Sequence, residues 1–173
     1  MVTRHVNLAH VTSRPPRAYL DTCIISGIAK EDLKSDQLAA VFELLRLHKE
    51  RVIQLVTSDM VKAEIDRIPA QFRSRHESIY NLLEDVSSFV SGTGMSPIGL
   101  PMMSRHQSRL RAMQAVLPDR LDARHVFAAW RHGLEYFVTT DESTIVRFRT
   151  ELDGQFNVRA MLPTELLEIL RRT

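Results

Sequence analysis

Cysteine is almost absent from this chain. Cys23 stands alone, so no internal disulfide can form, and no Cys/His cluster with metal-ligand spacing is present. Long apolar runs are missing too: no segment approaches the roughly 20 apolar residues that span a bilayer. Residues 1–16 carry arginines and histidines but not the apolar stretch of a secretory leader. Charge of one sign is also scarce, since 23 Lys and Arg against 21 Asp and Glu leave a net +2, a weak argument for an anionic partner. There is no internal repeat and no low-complexity tract. These absences point to a protein of the reducing cytoplasm with no membrane partner.

What remains is ordinary globular composition, 44% hydrophobic and 25% charged. A chain of 173 residues suits one compact unit at roughly 100–200 residues per domain. The expected organisation is a basic arm over 1–16 and a single domain over 17–173, with a helical insertion at about 70–117.

Short apolar runs alternate with helical patterns. Arg17 to Asp21 reads as a first strand, and Asp36 to Glu50 as a helix with Leu38, Val41, Phe42 and Leu45 at i, i+3, i+4 and i+7. A second strand covers Val52 to Val56. Ser58 then offers a cap for a helix over Met60 to Ile68 that should stop at Pro69. Helices are expected over Gln71 to Phe89 and Arg105 to Val116, flanking a Gly, Pro and Met-rich loop from Ser91 to Met103. Pro118-Asp119 opens a helix to His132, stopped by Gly133. Glu135 to Thr139 is a third strand, Glu142 to Leu152 a helix, Asp153-Gly154 a turn, Asn157 to Met161 a fourth strand and Pro163 to Arg171 a closing helix. Strands separated by helices imply parallel pairing.

Acids sit just beyond three of the strands: Asp21, Glu64 and Asp141. The carboxyl ends of parallel strands form the crevice where ligands bind, and carboxylates converging there repel unless protons or divalent cations neutralise them. Glu64 lies beside the apolar stripe Val61, Ile65 and Ile68, whereas Asp66 points away. Asp122 is in phase with Val126 and Ala129 and joins the set. Asp119 reads more simply as a helix N-cap, and Asp21 and Asp141 could each be caps as well. Four such acids are harder to explain as independent caps.

These residues resemble the PIN-domain nucleases. The likeness rests on Tyr19-Leu20-Asp21-Thr22-Cys23-Ile24-Ile25, Thr57-Ser58-Asp59-Met60-Val61-Lys62-Ala63-Glu64-Ile65, Asp122-Ala123-Arg124-His125-Val126-Phe127-Ala128-Ala129 and Tyr136-Phe137-Val138-Thr139-Thr140-Asp141, in that order and spacing. It spans Tyr19 to about Leu170 and is loose across Gln71 to Leu117. It implies an α/β fold, a PIN-like three-layer α/β/α domain around a parallel sheet of about four to five strands. It also implies a catalytic pocket of Asp21, Glu64, Asp122 and Asp141 binding Mg²⁺ or Mn²⁺ and hydrolysing RNA phosphodiesters. Asp21 and Asp141 would be the principal ligands, with Glu64 and Asp122 acting through water.

Thr22, Thr140 and Ser143 carry hydroxyls that could hold a metal water, although turns use the same residues. Cys23 reads as filler rather than nucleophile. An acidic pocket needs flanking cations to hold a phosphate strand, and Arg73, Arg75, Arg105, Arg109 and Arg111 are the RNA-binding candidates; a solvated helix face is the alternative. Many bacterial PIN proteins are toxins paired with an antitoxin protein, which makes that the expected role, and a homodimer is left open. Two other readings stay beside it: a catalytically silent RNA-binding module, and an aspartate-dependent phosphohydrolase, for which Cys23 occupies the position where a second aspartate is normally needed.

Overall fold

A computed structural model describes residues 14–83, 87–89 and 104–172. The arm expected over 1–16 falls outside them as far as residue 13, as does the loop from Ser91 to Met103. The elements run β1 (Arg17–Leu20), α1 (Thr22–Lys30), α2 (Ser35–Lys49), β2 (Gln54–Ser58), α3 (Asp59–Arg67), α4 (Ala70–Leu82), β3 (Ser87–Phe89), α5 (Ser104–Val116), α6 (Arg120–Arg131), β4 (Tyr136–Val138), α7 (Arg149–Phe156), β5 (Arg159–Met161) and α8 (Pro163–Arg172). No helix of the described residues is long and apolar enough to cross a membrane.

The five strands form one sheet in the order β3-β2-β1-β4-β5, parallel at every pairing. This is the α/β architecture the alternating elements imply. Successive strand residues point to opposite faces, and both faces are covered. Ala18, Leu20, Leu55, Tyr136, Val138 and Met161 join a core beneath α1, α2, α3 and α8. Tyr19, Val56, Phe137 and Ala160 join a second core with α6, α7 and Met113 of α5. Strands buried on both sides read as continuous apolar runs, which is why Ala18-Tyr19-Leu20 and Tyr136-Phe137-Val138 carry no polar alternation.

Three local expectations fail. The second strand runs over Gln54–Ser58, two residues beyond the expected Val52 to Val56, and Val52 is exposed before it. The helix expected over 71–89 ends at Leu82, and Ser87–Phe89 instead forms the edge strand β3, with Ser87 opposite Val56. Ser-Ser-Phe is too short and too polar to show a strand's period. The expected helix over 142–152 and turn at Asp153-Gly154 are replaced by turns, a single 3₁₀ turn over Val146–Phe148, and a helix running through Gly154 to Phe156. The cause is twofold: Asp141 winds the residues after it around its own carboxylate, and Asn157 rather than Gly154 takes the left-handed conformation (φ 56°) that ends the helix. Gly133 behaves as expected, at φ 63° just past α6.

Candidate functional site

The chain leaves β1 for β2 and β3 on one side and returns to the other side of β1 as β4 and β5, so the strand order reverses between β1 and β4. Loops that leave neighbouring strands in opposite directions open a crevice at that point. Asp21 follows β1 there. Its backbone N–H extends the ladder to Val138 O (3.1 Å), its Oδ1 accepts from the Thr22 N–H (2.8 Å) as the N-cap of α1, and its Oδ2 accepts from the Thr139 hydroxyl (2.8 Å). Only 5% of Asp21 is exposed. Burial raises its carboxyl above the ordinary range, against the pull of His125 and the bonds from Cys23, Thr139 and Thr22.

Asp141 follows β4. Its Oδ1 accepts from the backbone and hydroxyl of Ser143 (2.9 and 2.9 Å) and from Thr144 N–H (2.8 Å), and its Oδ2 accepts from the Thr144 hydroxyl (2.5 Å). Burial alone would raise this carboxyl, yet those bonds together hold it below the ordinary range. The Thr144 hydroxyl also stands beside Asp122. Asp122 is brought in by the first turn of α6, whose cap is Asp119, accepting from Leu121 N–H (2.5 Å) and Asp122 N–H (3.3 Å). The Asp122 carboxyl is pushed up to about 6, first by burial and then by the charges of Asp21, Asp119 and Asp141, against the opposing bond from Thr144.

Glu64 enters from α3, where Val61 and Ile65 are buried and Asp66 is exposed and paired with Lys62. Its Oε1 lies 2.8 Å from His125 Nε2. Burial raises Glu64, but the bond and charge of His125 outweigh it and leave the carboxyl below the ordinary range. His125 moves the opposite way. Burial lowers it, while Glu64, Asp21 and Asp122 bring it above the usual imidazole value. Its presence follows from helix phase: residues 122, 125, 126 and 129 share one face of α6, so a histidine in phase with Val126 has to be buried.

The supporting residues divide. Thr22 Oγ1 is buried beside Glu64 and completes no hydrogen bond of regular geometry. Ser143 serves the Asp141 turn. Thr140 donates from N–H and hydroxyl to Cys23 Sγ (3.2 and 3.4 Å), and Cys23 lies 3.0 Å from Thr139 Oγ1. Burial and the Asp21 charge push the Cys23 thiol up, so it stays protonated and is a poor nucleophile. A cavity of about 310 Å³ borders Cys23 and Thr140, with Lys30, Lys34 and Gln37 among its other lining residues.

The five arginines differ in what holds them. Arg73 donates from Nε and a terminal nitrogen to Ile68 O (3.1 and 3.0 Å), closing the end of α3. Arg75 pairs with Glu31. Arg109 lies over Trp130 (5.4 Å) and Phe156 (5.3 Å) and donates to Gln155 O (3.2 Å). Arg105 and Arg111 are exposed. Arg109→Ala is therefore expected to lower stability by about 1 kcal/mol, the scale of a cation held on aromatic faces, with RNA affinity unchanged within about twofold. Urea melts beside filter-binding titrations measure both; a large affinity loss at unaltered stability would return Arg109 to the RNA surface.

Four carboxylates and a buried hydroxyl are the hard oxygen donors that Mg²⁺ and Mn²⁺ prefer; burial lifts Asp122 first, and the repulsion from Asp21, Asp119 and Asp141 that adds to it is what a cation would relieve. The donor chemistry thus fits a divalent cation. As the side chains stand, however, no three His, Cys, Asp or Glu among the described residues are grouped closely enough to hold one. In comparisons with known proteins, the chain matches no family model and no curated protein.

Proposed function

We propose that the chain is a metal-dependent endoribonuclease whose pocket is formed by Asp21, Glu64, Asp122 and Asp141. The observation that carries this reading is the placement of Asp21 and Asp141 just beyond the two strands flanking the reversal of strand order, with α6 and α3 delivering Asp122 and Glu64 to the same electrostatic field. Asp21 and Asp141 would hold Mg²⁺ or Mn²⁺, with Asp122 and Glu64 completing the set. Such an ion supplies a water of lowered pKa and neutralises phosphate oxygens. The chain's own residues do the positioning: Thr22 N–H and Thr139 fix Asp21, the turn of Ser143 and Thr144 fixes Asp141, and the Asp119 cap starts the helix that carries Asp122. An antitoxin protein as the natural inhibitor belongs to the same proposal and rests on the resemblance to PIN-domain toxins.

A second reading has its own support. With Glu64 Oε1 taken by His125 and Asp141 occupied by its turn, a catalytically silent RNA-binding module fits the grouping as it stands. Purified protein incubated with RNA and Mn²⁺ or Mg²⁺, beside the same protein in EDTA, separates them. Cutting that EDTA stops supports the nuclease. RNA binding with neither cutting nor calorimetric uptake of Mn²⁺ supports the module.

A further inference from the structure

A buried chain of hydrogen bonds runs from the core to the rim of the acidic pocket. Ser58 Oγ lies 2.7 Å from the Tyr19 hydroxyl, which lies 2.6 Å from His125 Nδ1, and the opposite ring nitrogen, Nε2, reaches Glu64 Oε1 at 2.8 Å. Ser58 and Tyr19 are fully buried and His125 is 3% exposed, whereas 23% of the Glu64 side chain meets solvent. The four residues come from the end of β2, from β1, from α6 and from α3. One orientation satisfies the whole chain with a neutral ring: Ser58 donates to Tyr19, Tyr19 donates to Nδ1, and Nε2–H donates to Glu64. The Tyr19 ring stacks on Phe137 at 5.0 Å and tilts against His125 at 5.8 Å, so packing prevents both rings from turning away.

We propose that His125 is the positioning residue of the acidic pocket, holding Glu64 by Oε1 so that Oε2 alone serves a cation or its water. The inference rests on the metal-nuclease reading. A glutamate on a short helix rotates about three side-chain bonds, and a carboxylate that must meet a cation at one place gains from a fixed partner on its other oxygen. Outer partners of ligating carboxylates tune affinity on the scale of about 10- to 100-fold. Tyr19 supports the ring, and Ser58 supports Tyr19 in turn.

The test uses full-length protein carrying His125→Leu, His125→Gln or His125→Asn, with Mn²⁺ affinity by calorimetry and RNA cleavage read as kcat and KM separately. Gln can place an amide N–H near the Nε2 position; Asn reaches only the Nδ1 position. His125→Leu and His125→Asn are expected to weaken Mn²⁺ binding by about 10- to 100-fold and to lower kcat with KM for RNA little changed. His125→Gln should recover most of both. Equal Mn²⁺ affinity for the folded Gln and Asn variants, or wild-type affinity in either Leu or Asn, overturns the positioning role, and the Gln and Asn pair decides the matter even where Leu does not fold. A wild-type protein that takes up no Mn²⁺ overturns the nuclease reading itself, a result distinct from either of these.

Discussion

Asp21→Asn is expected to slow metal-dependent RNA cleavage by about 10²- to 10³-fold or more, the scale on which losing one electrostatic group in a water-poor site acts, while leaving thermal stability at pH 7 equal or higher. The asparagine carbonyl can still accept from Thr22 N–H at the start of α1, and its amide can donate to Thr139 Oγ1, so the backbone is held as before. The charge, by contrast, is costly where it stands, since burial raises this carboxyl above its unfolded value. Asp141→Asn should be equally inactive yet less stable, because that carboxylate is held below its unfolded value by hydroxyl and N–H donors. Its stabilisation is present above the unfolded pKa and is lost as pH falls. Cleavage of a fluorescent RNA beside melting curves reads both effects. Cutting that survives either substitution within tenfold removes the acids from the reaction.

Mn²⁺ should raise the melting temperature at pH 7 and do so much less at pH 4.5. The Asp122 carboxyl is displaced from an ordinary 3.8 to about 6 by burial and by Asp21, Asp119 and Asp141. A raised acid binds more protons folded than unfolded, so stability falls as pH rises through that window of about 4 to 6. Above it, the ionised carboxyl carries an unfavourable interaction that a bound cation removes; below it, protons occupy the site and compete with the metal. Asp122→Asn deletes the titration. Without metal, the variant's stability relative to wild type should rise between pH 4 and 6 and then level off, and its Mn²⁺-induced shift at pH 7 should shrink. A shift of the same size at both pH values would place the ion elsewhere in the chain.

The extent to which sequence foretold this arrangement differs from element to element. β1 and β4 are legible because Ala18-Tyr19-Leu20 and Tyr136-Phe137-Val138, buried on both faces, are uninterrupted apolar runs, and α6 because Asp119 and Gly133 mark its two ends; β2 is legible only to within two residues, since Gln54, Thr57 and Ser58 are polar. β3 was illegible, since three residues beside β2 need no pattern of their own. The turn after Asp141 is not legible because its shape is set by one side chain accepting from four donors rather than by helix propensity. Among site residues, the four acids stand out by position. His125 was visible only as a member of the quoted Asp122 segment, although its helix phase already placed it on the buried face beside Asp122. Arg73, Arg75 and Arg109 drew attention as a charge pattern, and each proves to have a structural partner within the chain.

The central position of β1 sets the order in which the pocket can come into being. Asp21 and Thr139, joined at 2.8 Å, are 118 positions apart along the chain, and β1 meets β4 only through that long closure. At synthesis rates of about 5–20 residues per second, the partners of Asp21 emerge roughly 6–24 s after it. Until β4 docks, the first acid caps α1 without its neighbours. On the proposed nuclease reading, the pocket lacks Asp122 and Asp141 until synthesis has passed position 141, so its four acids can be assembled only after most of the chain has been made.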